Sequence, residues 1–174
     1  MPGRVVRDGR RVALCELRED EQEVLVRLAG ADARGEFNDL GPMDEELLTS
    51  GFRAQRLLVV RKSDGRAIGF VSWHRVRHGP NRGSRAWNIG INLEPAGRGQ
   101  GLGAEAQRLL AEHLLETTGV DRIEASTDVD NRAEQRALEK AGFTREGVLR
   151  GAQDRAGARH DLYSYSLLRS DLYA

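Results

Sequence analysis

The chain is poor in cysteine, lysine and aromatic residues, and it has no long apolar run. A single cysteine, Cys15, excludes an intramolecular disulfide framework and a cysteine-based zinc site. No metal site is expected. Cys15 belongs to the apolar alternation Val12-Ala13-Leu14-Cys15-Glu16-Leu17, which predicts a buried strand thiol. Continuous apolar stretches reach only a few residues, so none spans a membrane. The start Met1-Pro2-Gly3-Arg4 lacks the apolar core of a secretory signal. These absences predict a cytoplasmic protein with no membrane partner. Neither sign of charge is in excess, with 27 basic and 27 acidic residues among 174, which argues against a nucleic-acid partner. Lysine occurs only at Lys62 and Lys140, and the other basic residues are arginine. Codon bias in a GC-rich genome is the plain reading of that skew.

What is present describes one folded domain, with 39% hydrophobic and 31% charged residues. The first eleven residues set Arg4, Arg7, Arg10 and Arg11 around Asp8 and read as a short solvated arm before a domain at 12–174. Alternation predicts strands at 12–17, 57–60, 67–76, 86–93 and 122–127, then a closing pair near 143–152 and 160–168. Ser63-Asp64-Gly65 is a turn, and a second turn runs from Asp154 to Ala158. Helical spacing covers 18–30, a short piece from Pro42 through Leu47 and Leu48, and a long segment from Leu102 to Thr118. Asn131-Arg132-Ala133-Glu134 reads as a capping box opening a further helix that stops at Gly142. Adjacent strands combined with strand–helix–strand units predict a mixed α/β (α+β) sheet covered by helices.

The most informative segment is Gly97-Arg98-Gly99-Gln100-Gly101-Leu102-Gly103-Ala104, between a strand and the long helix. Glycines let successive N–H groups converge on an anion, and the helix N-terminus adds unsatisfied donors and positive potential. A pyrophosphate suits this place, with Arg98 as a further charge partner. A P-loop is excluded because no Gly-Lys-Ser/Thr follows. Gly99-Gln100-Gly101-Leu102-Gly103-Ala104 fits a dinucleotide fingerprint, with Glu124 about 20 residues on, but Glu94 to Arg98 separate it from its strand.

The third reading is Arg98-x-x-Gly101-x-Gly103 after Ile89-Gly90-Ile91-Asn92-Leu93-Glu94-Pro95. This resembles the acyl-coenzyme A signature of the GNAT superfamily of N-acetyltransferases. Asn88 to Ile91, Gly101 to Ala106, Asn131 with Leu138-Glu139-Lys140-Ala141-Gly142-Phe143, and Asp161 to Arg169 resemble its ribosomal-protein (RimJ/RimL-type) branch. The resemblance covers about residues 10–170. It implies a mostly antiparallel sheet of six to seven strands, with helices on both faces, splayed between the fourth and fifth strands. It further implies acetyl-CoA as the acetyl donor, with pantetheine along the backbone of Ile91 and Leu93. The pyrophosphate would lie on residues 99–104, which are Gly99, Gln100, Gly101, Leu102, Gly103 and Ala104, beside Arg98. Asn131 would contact the pantetheine, act as a helix cap, or do both.

Catalysis in such a family is direct attack of a neutral amine on the thioester. The resemblance puts an oxyanion donor at the backbone N–H of Ile91. Relatives carry Tyr where this chain has Leu138, or Ser where it has Glu134, which leaves Glu134 as a candidate acid and equally as the far end of a capping box. Trp87 and Gln153 replace common basic or carboxylate positions. The remaining base candidates are Asp161, Glu94, Glu105 and His74, each with a structural alternative. With no obvious base, α-amines suit the site better than lysine amines. The acceptor is left open among a protein N-terminus, a free amino acid, a polyamine and an antibiotic amine. Its recognition is expected in segments 30–56, 74–86 and 152–161, with Trp73, Trp87, Tyr163 and Tyr165 either core or slot residues. Monomer and homodimer are both open. An acyl-CoA-binding module without catalysis is the alternative of another class.

Overall fold

The computed structural model describes residues 3–30, 35–42, 44–50 and 54–173. Its strands are β1 (Val5–Asp8), β2 (Val12–Cys15), β3 (Gln55–Arg61), β4 (Arg66–Arg77), β5 (Arg85–Leu93), β6 (Arg122–Asp128), β7 (Thr144–Arg155) and β8 (Ala158–Leu168). They form one sheet in the order β1-β2-β3-β4-β5-β6-β8-β7. The helices are α1 (Gln22–Ala29), α2 (Glu45–Thr49), α3 (Leu102–Thr118) and α4 (Arg132–Lys140). Among the described residues, only β5 and β6 pair in parallel. A doubly wound parallel sheet is therefore excluded, and the dinucleotide reading of the glycine loop fails on topology.

The central strands are buried on both faces, which explains their near-continuous apolar runs. Val12 and Leu14 of β2, with Leu57 and Val59 of β3, pack into the core beneath α3 and α4. The alternate residues Ala13, Cys15, Leu58 and Val60 pack with Leu28 of α1 on the opposite face. Cys15 is a buried free thiol, as its run of residues predicts. Helix α3 buries Leu102, Ala106, Leu109, Leu110, Leu114 and Leu115, and ends where Gly119 takes a left-handed conformation. Among the described residues, no helix is long and apolar enough to cross a membrane.

Two expectations are corrected. Residues 5–8, read as part of a solvated arm, form β1, which brings the sheet to eight strands where six to seven are expected. Three of the arginines that suggest solvation, Arg4, Arg7 and Arg11, carry carboxylate partners. Arg7 bonds Glu116 and Glu112 of α3, and Arg4 bonds Glu16. The closing hairpin is also longer than expected. Its turn is only Ala156-Gly157, both at positive φ (52° and 76°), a geometry that matches the twist of the flanking strands.

Leu110 is fully buried at the centre of the larger core. Leu110→Ala removes about 2–5 kcal/mol of stability by lost transfer energy and a residual cavity. Urea unfolding followed by circular dichroism should show that loss as a lower midpoint.

Candidate active site at the splayed strands

Strands β5 and β6 touch at only two pairs, Trp87↔Ile123 and Asn88↔Glu124, and then diverge. Strand β5 stays paired with β4 through Leu93, so the edge of residues 89–93 that faces β6 has no strand partner. Backbone groups along that edge need hydrogen bonds from elsewhere. A cavity of about 520 Å³ opens there, bounded by β5, the glycine loop, the start of α4 and residues 35–38.

The loop is shaped by its glycines. Gly99 and Gly101 lie at φ +72° and +74°, and α3 starts at Leu102 with Gly101 as its N-cap. The first N–H groups of α3 have no intrahelical partner, and the positive end of the helix dipole faces the same way. A Cβ at Gly99 would meet nothing within 4 Å, so the space above it is open. The loop's own side chains brace it. Gln100 Nε2 donates to the Ala96 carbonyl at 2.9 Å. Arg98 Nε donates to the Leu93 carbonyl at 2.8 Å, and its guanidinium lies against Gly35 on the far wall. That bond occupies one of the backbone groups that the resemblance offers to pantetheine.

Ile91, Leu93, Arg98, Gly99, Gly101, Gly103, Ala104, Asn131 and Glu134 all line the cavity. Leu102 is instead buried in the core, and Gln100 lies on the outer side of the loop. Asn131 caps α4, its Oδ1 accepting the Glu134 N–H at 3.2 Å. The Glu134 side chain is bonded to the Gln107 amide of α3. Burial pushes the Glu134 carboxyl up to about 7, against the opposing pull of that amide. Gln107 is itself buried and also donates to the Gly103 carbonyl at 3.3 Å, so it ties the loop to Glu134.

Asp161 does not line the cavity; its Oδ1 accepts the Gly151 N–H at 2.6 Å, where the closing hairpin is irregular. The other base candidates are committed. Glu94 is buried between Arg27 and Arg66. Glu105 is held by Arg11, and the N–H groups of Arg11 and Val12 outweigh burial to lower its pKa. His74 is off the cavity wall, and burial lowers its pKa. Trp87 donates to Thr118 Oγ1 at 2.8 Å, Leu138 is core, and Gln153 Oε1 accepts from Arg155. Trp73, Trp87 and Tyr165 are core, and Tyr163 packs against it. Among the described residues, no group of three His, Cys, Asp or Glu side chains is placed to hold a metal ion.

Three contributors carry no individual role in the sequence reading, the first of them inside the segment 30–56 expected to recognise the acceptor. Residues 35–38 form a wall of the cavity and are fastened to the closing hairpin, because the Arg155 guanidinium stacks over Phe37 at 5.3 Å while bonding Asp128 at 2.5 Å. Gln107 is the second, and its signal is a polar residue beside the apolar stripe of α3. Arg11 is the third; it bonds the loop from behind, and nothing near it in sequence announces that.

Residues 11–144 match the family model described as Acetyltransferase (GNAT) domain, and the chain belongs to that family. Probable N-acetyltransferase YjcK of Bacillus subtilis is 34% identical over 109 residues, which are 63% of this chain and 59% of YjcK. RimL, a ribosomal L7/L12 alpha-N-protein acetyltransferase solved with coenzyme A, superposes with a TM-score of 0.72 at 20% identity, covering 95% of this chain and 98% of RimL. Spermidine N-acetyltransferase from Vibrio cholerae, solved with CoA and spermine, gives 0.75 at 16% identity, covering 94% and 99%.

The raised Glu134 pKa has a thermodynamic consequence. Between the ordinary carboxylate value of 4.5 and about 7, the folded state keeps a proton that the unfolded state has lost. Stability therefore falls as pH rises through that window, by up to about 3 kcal/mol. Glu134→Gln should flatten the profile and unfold at higher urea than the wild type at pH 8, while differing little at pH 4.5.

Proposed function

We propose that the protein transfers an acetyl group from acetyl-CoA to a primary amine by direct attack within a ternary complex. The reading is carried by one juxtaposition. The unpaired edge of β5, the donor-rich start of α3 and the Glu134 carboxyl border the same cavity. An extended pantetheine supplies amides for the strand edge, and a pyrophosphate suits the convergent N–H groups of the glycine loop. Ile91 lies on the open edge, where its N–H would meet an oxyanion.

In this scheme the amine nitrogen attacks the thioester carbon, and the carbon–sulfur bond breaks. Glu134, protonated near neutral pH, gives its proton to the departing thiolate. It regains one through water from the new ammonium, so no net proton is consumed. Glu105 and Glu94, the candidate bases beside the loop, are engaged by arginines, so this scheme assigns no base to a protonated amine. The acceptor must then arrive neutral. An α-amine, with a pKa of about 7.7–8.0, does so far more often than a lysine amine at about 10.4, a difference of about 3–4 kcal/mol. The α-amine reading agrees with RimL, an alpha-N-protein acetyltransferase, whereas the Vibrio cholerae protein is a spermidine N-acetyltransferase. We place the reaction in the cytoplasm.

Coenzyme A release with matched peptides tests this. A free N-terminus should react faster at pH 7 than a blocked peptide bearing one lysine, and the rate should rise with pH along the acceptor's own titration. A faster lysine peptide sinks the α-amine reading. Glu134→Gln should lower kcat by about 10- to 100-fold with little change in the KM for acetyl-CoA. Tight coenzyme A binding without thiol release across peptides, amino acids, polyamines and antibiotic amines identifies an acyl-CoA-binding module instead.

A further inference from the structure

We propose that Arg11 is a positioning residue for coenzyme binding, one that sets the direction of the glycine-loop N–H groups from behind without touching the coenzyme. The inference rests on the acetyl-CoA reading above. Arg11 follows the β1–β2 turn, and its guanidinium reaches the outer side of the loop. Nη1 donates to the Gln100 carbonyl at 2.8 Å, Nη2 to the Gly101 carbonyl at 3.1 Å, and Nε to Glu105 Oε2 at 3.0 Å.

Each grip on a carbonyl fixes a whole peptide plane. In a trans peptide the C=O and the following N–H point in opposite directions. Holding the Gln100 and Gly101 oxygens on the outer side therefore turns the Gly101 and Leu102 N–H groups toward the cavity. Those groups are the ones a pyrophosphate would need. Gly101 lies at φ +74°, a region where glycine has other conformations available; its carbonyl accepts the Glu105 N–H at 3.3 Å within α3, and Arg11 adds a second restraint there and the side-chain restraint on the Gln100 carbonyl. The guanidinium packs so closely that a Cβ at Gly101 would come within 3.1 Å of Nη2.

The same residue neutralises the acid nearest the loop. Glu105 lies in the first turn of α3, where its charge would repel a phosphate. Its Oε1 accepts the Arg11 backbone N–H at 2.7 Å and its Oε2 accepts Nε, so it faces the β1–β2 hairpin. Gly9 permits this approach, since a Cβ there would meet Glu105 Oε1 at 2.7 Å. Lysine cannot replace the arrangement. A single ammonium retains the charge but not the planar fork that spans two carbonyls and a carboxylate.

The test measures coenzyme A binding by calorimetry, together with steady-state kinetics, in the wild type, Arg11→Gln and Arg11→Lys. Both variants should bind coenzyme A about tenfold more weakly and raise the KM for acetyl-CoA by a similar factor. Their kcat and their KM for the amine should stay within about twofold of wild type, because the reacting atoms are untouched. Unchanged coenzyme affinity overturns the proposal. So does a loss spread over kcat and both substrates, or failure of both variants to fold, since either makes Arg11 a general stability residue. Full binding by Arg11→Lys alone would assign the effect to charge and overturn the claim about direction. A wild type that does not bind coenzyme A defeats the acetyl-CoA reading itself.

Discussion

The structure turns on one refusal to pair: β5 leaves β6 after two residues. A sheet that opens in its middle leaves backbone donors and acceptors on an inner edge, where water or a ligand must satisfy them. The opening is supported because each half is held independently. Strand β5 stays in a continuous antiparallel set with β4, β3 and β2, while β6 is secured by β8 along its full length. Helices α3 and α4 pack across the gap from one face, and both begin at the cavity. The polar groups of the split sheet and of two helix starts are thereby gathered in one place. A binding cavity follows from the topology before any side chain is considered.

Arginine does much of the fastening between segments distant in sequence. Arg7 ties β1 to the outer side of α3, Arg11 ties the first hairpin to the glycine loop, and Arg27 with Arg66 fixes Glu94 at the end of β5. Arg155 joins β6, the closing hairpin and Phe37. The partly exposed pairs among these, such as Arg7 with Glu116 and Arg11 with Glu105, contribute little stability, about 0–1 kcal/mol each. Their geometry matters more, because a forked donor defines direction as well as distance. The forked donors give several of these positions a use for arginine that a lysine ammonium does not share.

Periodicity made most of the fold legible. The doubly buried strands, the apolar face of α3, the Asn131 cap and the glycine loop all follow from local pattern, and the loop's likeness to an acyl-CoA signature agrees with the family match. What stayed hidden is non-local. Val5 and Val6 lie among charges, and their strand is made by pairing with β2 while Arg7 is held by Glu116, 109 residues away. Glu134 reads as half of a capping box, yet only Asn131 caps; the carboxyl turns to Gln107, a partner supplied by another helix. Asp161 has the right chemistry for a base, but its place in the hairpin commits it to Gly151. Residue type and spacing identify which groups are available, whereas the tertiary partners decide which remain so.

Cys15 is buried within the sheet, and its thiol is pushed further from ionisation, by burial first and then by Glu21 and Asp8. A thiolate is the reactive form, so this sulfur is chemically silent in the native protein. A sulfhydryl assay on the native protein therefore starts from a quiet background, against which coenzyme released in the proposed transfer would be read. A sulfhydryl contributed by the protein itself counts the molecules whose sheet has opened. The one cysteine thus gives the chain an internal gauge of its unfolded fraction.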